Sequence, residues 1–339
     1  TYDPDPRGMG CARQAVAAYY ADHGAPVDAE ELVMTTSTSE AYSFLFRLLC
    51  DPGDEVLAAQ PSYPLFDFLA DVDDVHLKPY PLFYDHGWSI DLHALEEAIT
   101  PKTRAVLLVH PNNPTGQYVS VTERKALQGL CAQRGLALIV DEVFLDYRIA
   151  ETEQARMNAV TFVAGEQEAL TFVLSGMSKI AGLPQMKAAW VAVKGPEQAR
   201  KEALRRLEII ADTFLSMSAP IQLAVPYWLA NRKGIQRQIT ERVRRNWASA
   251  QAALAGSELR CLAWEAGWNL VLRAPTTTDD LLWATRLIER EGLMTHPGSF
   301  YGMQQSGRLV ISLIVKEKIF GEGMRLLVES WATGKPFEG

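Results

Sequence analysis

The chain has 339 residues, of which 48% are hydrophobic and 22% charged. This composition is typical of a globular protein with one large or two medium-sized domains. No run of about 18 apolar residues is present, which excludes a membrane-spanning segment. The net charge of -8 argues against non-specific binding to nucleic acid or anionic lipid, so an anionic ligand would need a locally built site.

The four cysteines are scattered and form no CxxC pair, which argues against a zinc site and against a disulfide framework. We expect buried, reduced thiols at Cys11, Cys50, Cys131 and Cys261, and no metal site. No signal peptide is recognisable, so we expect a cytoplasmic protein. The sequence begins at Thr1 rather than at a methionine, and we expect further residues upstream.

From about residue 30 to 195, short apolar runs alternate with helical patterns. Predicted strands are Glu55–Ala59, Ala105–His110, Ala137–Asp141, Leu170–Leu174 and Ala188–Val193. Predicted helices are Glu40–Cys50, Tyr63–Ala70, Leu92–Ile99 and Thr122–Arg134. Such alternation predicts an α/β fold, a mostly parallel sheet between two layers of helices. Ligands bind at the carboxyl ends of the strands in sheets of this kind.

A long, charged helical region is predicted from Pro196 to Ala255, with an interruption near Ser216–Pro220. After it, the pattern predicts a smaller α+β unit. Its strands are Trp268–Arg273 and Arg308–Leu313, and its helices are Asp279–Glu291 and Ile319–Thr333. We expect the domain boundary inside the long helix near residue 245, giving a large domain over 1–245 and a small domain over 246–339.

A lysine follows one predicted strand in the run Leu174-Ser175-Gly176-Met177-Ser178-Lys179. Small hydroxylated residues at a strand end can form a cradle for a phosphate group. A lysine after a serine is, however, most often a solvated surface residue. The run therefore needs other residues to support a site.

Two further polar residues end apolar strands. Asn113 lies in the turn Val109-His110-Pro111-Asn112-Asn113-Pro114-Thr115-Gly116, which could be a turn and nothing more. Asp141 ends the run Leu138-Ile139-Val140-Asp141-Glu142, where burying a carboxylate is costly unless it is paired with a cation. The alternative for Asp141 is a solvated strand end.

The run Thr36-Ser37-Thr38-Ser39-Glu40 precedes a predicted helix. It offers amide and hydroxyl donors to an anion at the helix N-terminus, although a plain helix cap is the simpler interpretation. Tyr63, in Pro61-Ser62-Tyr63-Pro64, follows a strand and could cover a flat ligand, or it could pack in the core.

Pyridoxal phosphate (PLP) needs an imine-forming lysine, an acid for its pyridine nitrogen, donors for its phosphate and a flat group over its ring. Each requirement has a candidate here. Together with Tyr2, Gly8, Arg13 and Gly53-Asp54-Glu55-Val56, these residues resemble the class I and II aminotransferases, which are fold type I PLP enzymes. The resemblance covers nearly the whole chain.

The resemblance implies roles for individual residues. Lys179 would hold the cofactor as a Schiff base and act as the catalytic base, with Asp141 on the pyridine nitrogen and Tyr63 stacked on the ring. Asn113 would contact the phenolic oxygen and the substrate. The phosphate contacts would come from Thr38, Ser39, Glu40 through its backbone, Ser175 and Lys187. A homodimer is implied, in which Tyr2, and less clearly Ser218, reach the partner subunit's site.

Three positions depart from the family pattern. Lys187 replaces a phosphate-binding arginine and loses its bidentate fork, so we expect weaker phosphate binding. Phe144 replaces a tyrosine, which removes one hydrogen bond to the phenolic oxygen and should raise the imine pKa. Val310 occupies the position of the arginine that binds the substrate carboxylate. Arg308, two residues earlier on the same strand face, is our candidate substitute.

The sequence therefore predicts a PLP-dependent aminotransferase that moves an amino group between an amino acid and a 2-oxo acid. Phe214, at a position where relatives selective for dicarboxylates carry an arginine, suggests an apolar or aromatic amino acid. A PLP lyase or decarboxylase on the same scaffold is the alternative. A PLP-sensing domain of a transcription regulator is another, although such proteins carry an N-terminal helix-turn-helix, and this sequence contains none.

Overall fold

The computed structural model describes residues 4–215, 217–275 and 278–334. The first part of the chain forms an eight-stranded sheet with strand order β1-β8-β7-β6-β5-β2-β3-β4. These strands are β1 Leu32–Thr35, β2 Glu55–Gln60, β3 His76–Tyr84, β4 Trp88–Ile90, β5 Thr103–Val109, β6 Ala137–Asp141, β7 Thr171–Gly176 and β8 Ala189–Lys194. Strands β3, β2, β5, β6 and β7 are parallel neighbours, whereas β8 is antiparallel to β7 and β1.

Helices cover both faces of this sheet. They are α1 Gly10–Asp22, α2 Thr38–Leu49, α3 Phe66–Val72, α4 Leu92–Ala98, α5 Val121–Arg134, α6 Glu153–Asn158, α7 Met177–Ile180, α8 Glu197–Phe214 and α9 Ala219–Leu254. Alternate residues of the central strands enter two separate cores. In β6, Leu138 and Val140 pack with α1 and α5, whereas Ile139 packs with α2 and α8. The predicted three-layer α/β architecture is confirmed.

The last third of the chain forms a second, four-stranded antiparallel sheet with order β11-β12-β10-β9. Its elements are β9 Arg260–Cys261, β10 Asn269–Arg273, α10 Asp280–Glu291, β11 His296–Pro297, β12 Arg308–Ser312 and α11 Glu317–Ala332. This small unit has its own core, which includes Leu270, Trp283 and Phe320.

Helix α9 takes part in both units. Val225 and Leu229 belong to a core of the large unit, whereas Val243, Ala250 and Leu254 belong to the core of the small unit. This change of partner supports a boundary inside α9, which we retain as a proposal near residue 245. Among the described residues, no helix combines the length and the apolar character needed to cross a bilayer.

Strand β3 is not among the predicted strands, and it contains Pro79 and Pro81, which are disfavoured in a sheet interior. Both prolines lie in β3 opposite β2, but β4 pairs only with Leu82, Phe83 and Tyr84. The prolines therefore occupy the part of β3 that has a neighbouring strand on one side only, where a missing N–H costs least. Helix α1 and strand β1 were also not predicted.

Candidate active site

A cavity of about 890 Å³ lies where the parallel strands of the large sheet end. Strands β1, β2, β5, β6 and β7 end at this edge, and the antiparallel β8 begins there. Loops that leave parallel strands at the same edge bring distant parts of the sequence together. Most of the residues selected from the sequence line this cavity: Thr38, Ser39, Tyr63, Asn113, Asp141, Lys179 and Lys187.

Lys179 lies in α7, directly after β7. Its Nζ is 5.3 Å from the ring centre of Trp268 and 5.7 Å from that of Phe144. Burial among these rings lowers the pKa of Lys179, and the negative charge of Asp141 opposes the shift. A lowered pKa increases the fraction of neutral amine, which is the form that attacks a carbonyl carbon.

Asp141 is the last residue of β6 and is 6% exposed. The Tyr42 hydroxyl donates to its Oδ2 at 2.8 Å, and the Val143 N–H donates to its Oδ1 at 3.0 Å. Burial raises the pKa of Asp141 to about 6, despite these hydrogen bonds and the charge of Lys179. A cation against this carboxylate would lower the pKa again. The site therefore fits a protonated pyridine nitrogen.

The N-terminus of α2 lies at the polar end of the cavity. Ser37 caps the helix, and Thr38 and Ser39 occupy its first turn, where backbone N–H groups have no partner within the helix. The helix dipole adds positive potential at this end. Ser178 and Lys187 also line the cavity. These donors fit a phosphate group.

Two predicted phosphate contacts need correction. The Glu40 N–H donates to Ser37 Oγ at 3.1 Å, and the Glu40 carboxylate accepts from the Thr36 N–H at 2.7 Å. Glu40 therefore serves the helix cap. Ser175 is fully buried in β7 and its hydroxyl donates to the Glu142 carbonyl oxygen at 3.5 Å. Gly176 and Ser178 line the cavity instead.

Asn113 follows β5 and faces the small unit. Its Oδ1 accepts a hydrogen bond from Asn269 Nδ2 at 2.7 Å, so its own amide hydrogens are the ones left to donate into the cavity.

The last position of the Asn-Pro-Thr-Gly run, Gly116, requires a glycine. Its φ is +75°, and a Cβ there would overlap the Trp264 ring and the Ala266 carbonyl oxygen.

Tyr63 lies in the cavity wall after β2 and is 40% exposed. Its ring packs edge-on against Phe66, with ring centres 5.6 Å apart and an interplanar angle of 80°. Burial, and next the charge of Asp141, raise the pKa of Tyr63. The ring is therefore close to Asp141 and available to cover a flat ligand.

Two other predicted positions, Arg308 and Phe214, are not found at the cavity. Tyr2 lies outside the described residues. Arg308 begins β12, and its Nη1 donates to the carbonyl oxygens of Ser306 and Gly307 at 3.3 and 3.4 Å. It does not line the cavity, which corrects its proposed position, whereas Val310 does. Phe214 packs on Phe44, with ring centres 5.3 Å apart, outside the cavity lining.

Several lining residues were not predicted. Tyr42 lies four residues after Thr38, on the same helix face, and this spacing was an available signal. Most of the others belong to the small unit or to the two serine-containing runs singled out in the sequence, where they were not selected as contacts. They include Ser37, Ser178, Trp268, Asn269, His296 and Tyr301.

The far end of the cavity is apolar and belongs to the small unit. Its side chains come from the segment before β11, the strand β12 with the residues after it, and helix α11. They are Leu293, Met294, Val310, Ile311, Ile314, Val315, Ile319, Phe320, Met324 and Leu327. The cavity thus joins a polar end to an apolar end.

Known proteins resemble this chain in sequence. Glutamate-pyruvate aminotransferase AlaA of Escherichia coli (strain K12) is 27% identical over 237 residues, which are 70% of this chain and 57% of that protein. Alanine aminotransferase of Mycobacterium tuberculosis (strain H37Rv) is 29% identical over 237 residues, which are 68% of this chain and 53% of that protein. The chain therefore spans a little over half the length of these curated relatives.

Solved structures share the fold at lower identity. Alanine aminotransferase from Pyrococcus furiosus matches with a TM-score of 0.89 and 19% identity, over 98% of this chain and 84% of that chain. Tyrosine aminotransferase from Leishmania infantum matches with a TM-score of 0.88 and 20% identity, over 97% of this chain and 82% of that chain.

The family is shown by a match to the aminotransferase class I and II family over residues 3–319. The matched region contains the polar end of the cavity and reaches the first residues of α11, but it stops before Phe320, Met324 and Leu327 of the apolar end. The chain belongs to the class I and II aminotransferase family.

Proposed function

We propose that this protein is a PLP-dependent aminotransferase that moves an amino group between an amino acid and a 2-oxo acid. The observation that carries the proposal is the meeting of Lys179, Asp141 and Asn113 around one cavity at the carboxyl edge of the sheet. The names of the relatives describe the same class of reaction.

The residues present fit PLP. Lys179 would hold it covalently, Asp141 would pair with its ring nitrogen and Asn113 would donate to its phenolic oxygen. Thr38, Ser39, Ser178 and Lys187 would surround its phosphate, and Tyr63 would cover its ring. When bound, PLP supplies an electron sink that stabilises negative charge at the substrate's α-carbon.

The side chains around Lys179 suit a proton carrier. Its Nζ would take the proton from the α-carbon and return it at another carbon, because a lowered pKa makes the neutral, proton-accepting amine more accessible. Trp268 and Phe144 flank the amine. Tyr42 and the Val143 N–H hold Asp141 in place.

The apolar end of the cavity supports an amino acid with an apolar or aromatic side chain as substrate. The homodimer, with Tyr2 and Ser218 contributing to the partner subunit's site, remains a proposal implied by the family resemblance. The cytoplasmic location also remains a prediction.

The test is covalent trapping of the cofactor. We expect the purified protein to be yellow, and borohydride to fix the cofactor on the peptide that contains Lys179. Lys179→Ala should abolish this fixation, whereas Lys125→Ala, at an exposed position in α5, should leave it unchanged. Mass spectrometry of the digested protein reads the attachment site.

Fixation at another lysine would contradict the assigned site, and a protein that binds no PLP would contradict the proposed function. If the cofactor is trapped on Lys179, a screen of amino acids for loss of the yellow colour and release of a 2-oxo acid would identify the amino donor. Release of ammonia or carbon dioxide instead would indicate elimination or decarboxylation.

A further inference from the structure

The cavity has few side chains that can neutralise a substrate anion. Among the described residues that line it, the basic ones are Lys179, Lys187 and His296, and none is an arginine. Under the proposed function, Lys179 is joined to the cofactor and Lys187 lies with the phosphate donors. A carboxylate buried without a partner costs several kcal/mol. Among the described basic residues, His296 is left for the substrate.

His296 lies on the correct face of the small sheet. It is directly opposite Val310 in the β11–β12 pair. Residues opposite each other in an antiparallel pair point to the same face. Both residues line the cavity, so the imidazole lies next to Val310, which belongs to the apolar end.

Tyr301 orients the imidazole. The distance between His296 Nδ1 and the Tyr301 hydroxyl oxygen is 3.0 Å. Burial raises the pKa of Tyr301 to about 12, so its hydroxyl keeps its proton at neutral pH. If this hydroxyl donates to Nδ1, the imidazole carries its own hydrogen on Nε2, the nitrogen left to donate to a ligand.

The pair is also tied to the cofactor side of the cavity. The carbonyl oxygen of Tyr301 accepts a hydrogen bond from the Ser62 N–H at 3.0 Å, next to Tyr63. Tyr63 in turn is close enough to Asp141 for its charge to raise the pKa of Tyr63. The backbone of Tyr301 is thus joined to the segment that carries Tyr63, and both tyrosines line the cavity.

Other polar residues of the small sheet are less available. Asn269 already donates through Nδ2 to Asn113, and Ser312 is its neighbour across the strand pair. We propose that His296, oriented by Tyr301, binds the carboxylate of the amino-acid substrate while the side chain of that substrate enters the apolar end.

This inference rests on the proposed function but can be tested without turnover. Two unreactive ligands differ only in charge: 3-phenylpropanoate carries a carboxylate, and 3-phenylpropanamide is its neutral counterpart. Calorimetry gives the dissociation constant of each for the cofactor-loaded protein. We expect the wild type to prefer the acid by about tenfold, since hydrogen bonds to charged groups are stronger than neutral ones.

His296→Leu should reduce this preference to about twofold or less, because a carboxylate then has no partner there. His296→Glu should reverse it, an outcome that a purely structural role would not produce. His93→Leu, an exposed position in α4, is the matched control and should keep the wild-type ratio. Tyr301→Phe should weaken the preference less than His296→Leu.

A wild type without preference for the acid overturns the inference, as does an unchanged ratio in both His296→Leu and His296→Glu. Should His296→Leu fail to fold, His296→Glu decides alone. Borohydride fixation at Lys179 is measured separately, so a failure of the proposed function is distinguishable from a failure of the carboxylate assignment.

Discussion

The two ends of the cavity are built on different principles. The polar end is formed where the parallel strands of the large sheet stop, and each strand end contributes one or two polar residues, such as Asp141 after β6 and Lys179 after β7. The apolar end is formed by residues of β12, by the segments before β11 and after β12, and by α11. The polar end holds charged and hydrogen-bonding side chains, and the apolar end holds aliphatic and aromatic side chains that form a wall.

This difference indicates how the family can vary. Under the proposed function, the polar groups must lie at fixed positions because each would contact a different atom of one cofactor. The apolar wall has to match only the volume and polarity of a substrate side chain. Changes at the polar end should therefore alter turnover, whereas changes at the apolar end should alter the choice of substrate.

The strongest test of this contrast is Asp141→Asn. We expect the variant to keep the cofactor but to lose about 100- to 1000-fold in kcat, because a neutral partner no longer favours the protonated ring nitrogen in the transition state. Steady-state kinetics with the identified amino donor measures the loss. Asp71→Asn, at an exposed position in α3, should behave like the wild type. A near-normal kcat for Asp141→Asn would remove Asp141 from the mechanism.

A second test uses the cofactor-free protein. The folded-state pKa of Asp141 is about 6, against an ordinary value of 3.8. A raised pKa favours the folded state while the carboxyl is protonated. That stabilisation is fully present below about pH 3.8 and is lost as the pH rises through about 6, by up to about 3 kcal/mol.

Urea unfolding of the wild type and Asp141→Asn, both without cofactor, isolates this contribution. Between about pH 4 and 6.5, the free energy of unfolding of the wild type should fall relative to that of the variant. A constant difference across this range would show that the carboxyl titrates normally in the folded protein.

The smallest effect is expected at the apolar end, from Gly323→Ala. A Cβ at Gly323 would lie 3.1 Å from Leu293 Cδ1, and both residues line the cavity. We expect KM to rise roughly threefold for bulky apolar amino acids and to stay unchanged for small ones. Gly321→Ala, in the same helix but 3.6 Å from Ser249 Oγ, is the matched control.

Both alanine variants gain about 0.5–1 kcal/mol of helix propensity, so a difference in KM between them reports the cavity. Equal KM values for every substrate in both variants would show that this part of the wall does not meet the substrate side chain.

The polar end could be predicted well from the sequence because its residues occur in short runs at strand ends. Asp141 and Asn113 follow apolar strands, and a strand end in an α/β sheet has a known location. The direction in which a single side chain points was harder to predict. Ser175 belongs to β7 and points into the protein, while Ser178, three residues later in α7, reaches the cavity.

The apolar end could not be predicted in the same way. The selection of Arg308 assumed that a long side chain could reach the position of Val310, but its guanidinium contacts the carbonyl oxygens of its own turn. His296 belongs to a two-residue strand, whose pairing with β12 has no local sequence signal. Which residue faces the substrate depends on how distant strands pair, and a single sequence carries no local signal of that pairing.

Helix α9 has a mechanical consequence for the distance between the two walls of the cavity. It has 36 residues, or about 54 Å of continuous helix, and its two parts are anchored in different cores. Between Arg232 and Val243 none of its residues is buried, and Gly234 lies in this stretch. Because the two parts of the helix are anchored in different cores, a change in the spacing of the cavity walls would have to bend the helix in this stretch, where Ile239 still packs against the core of the small unit.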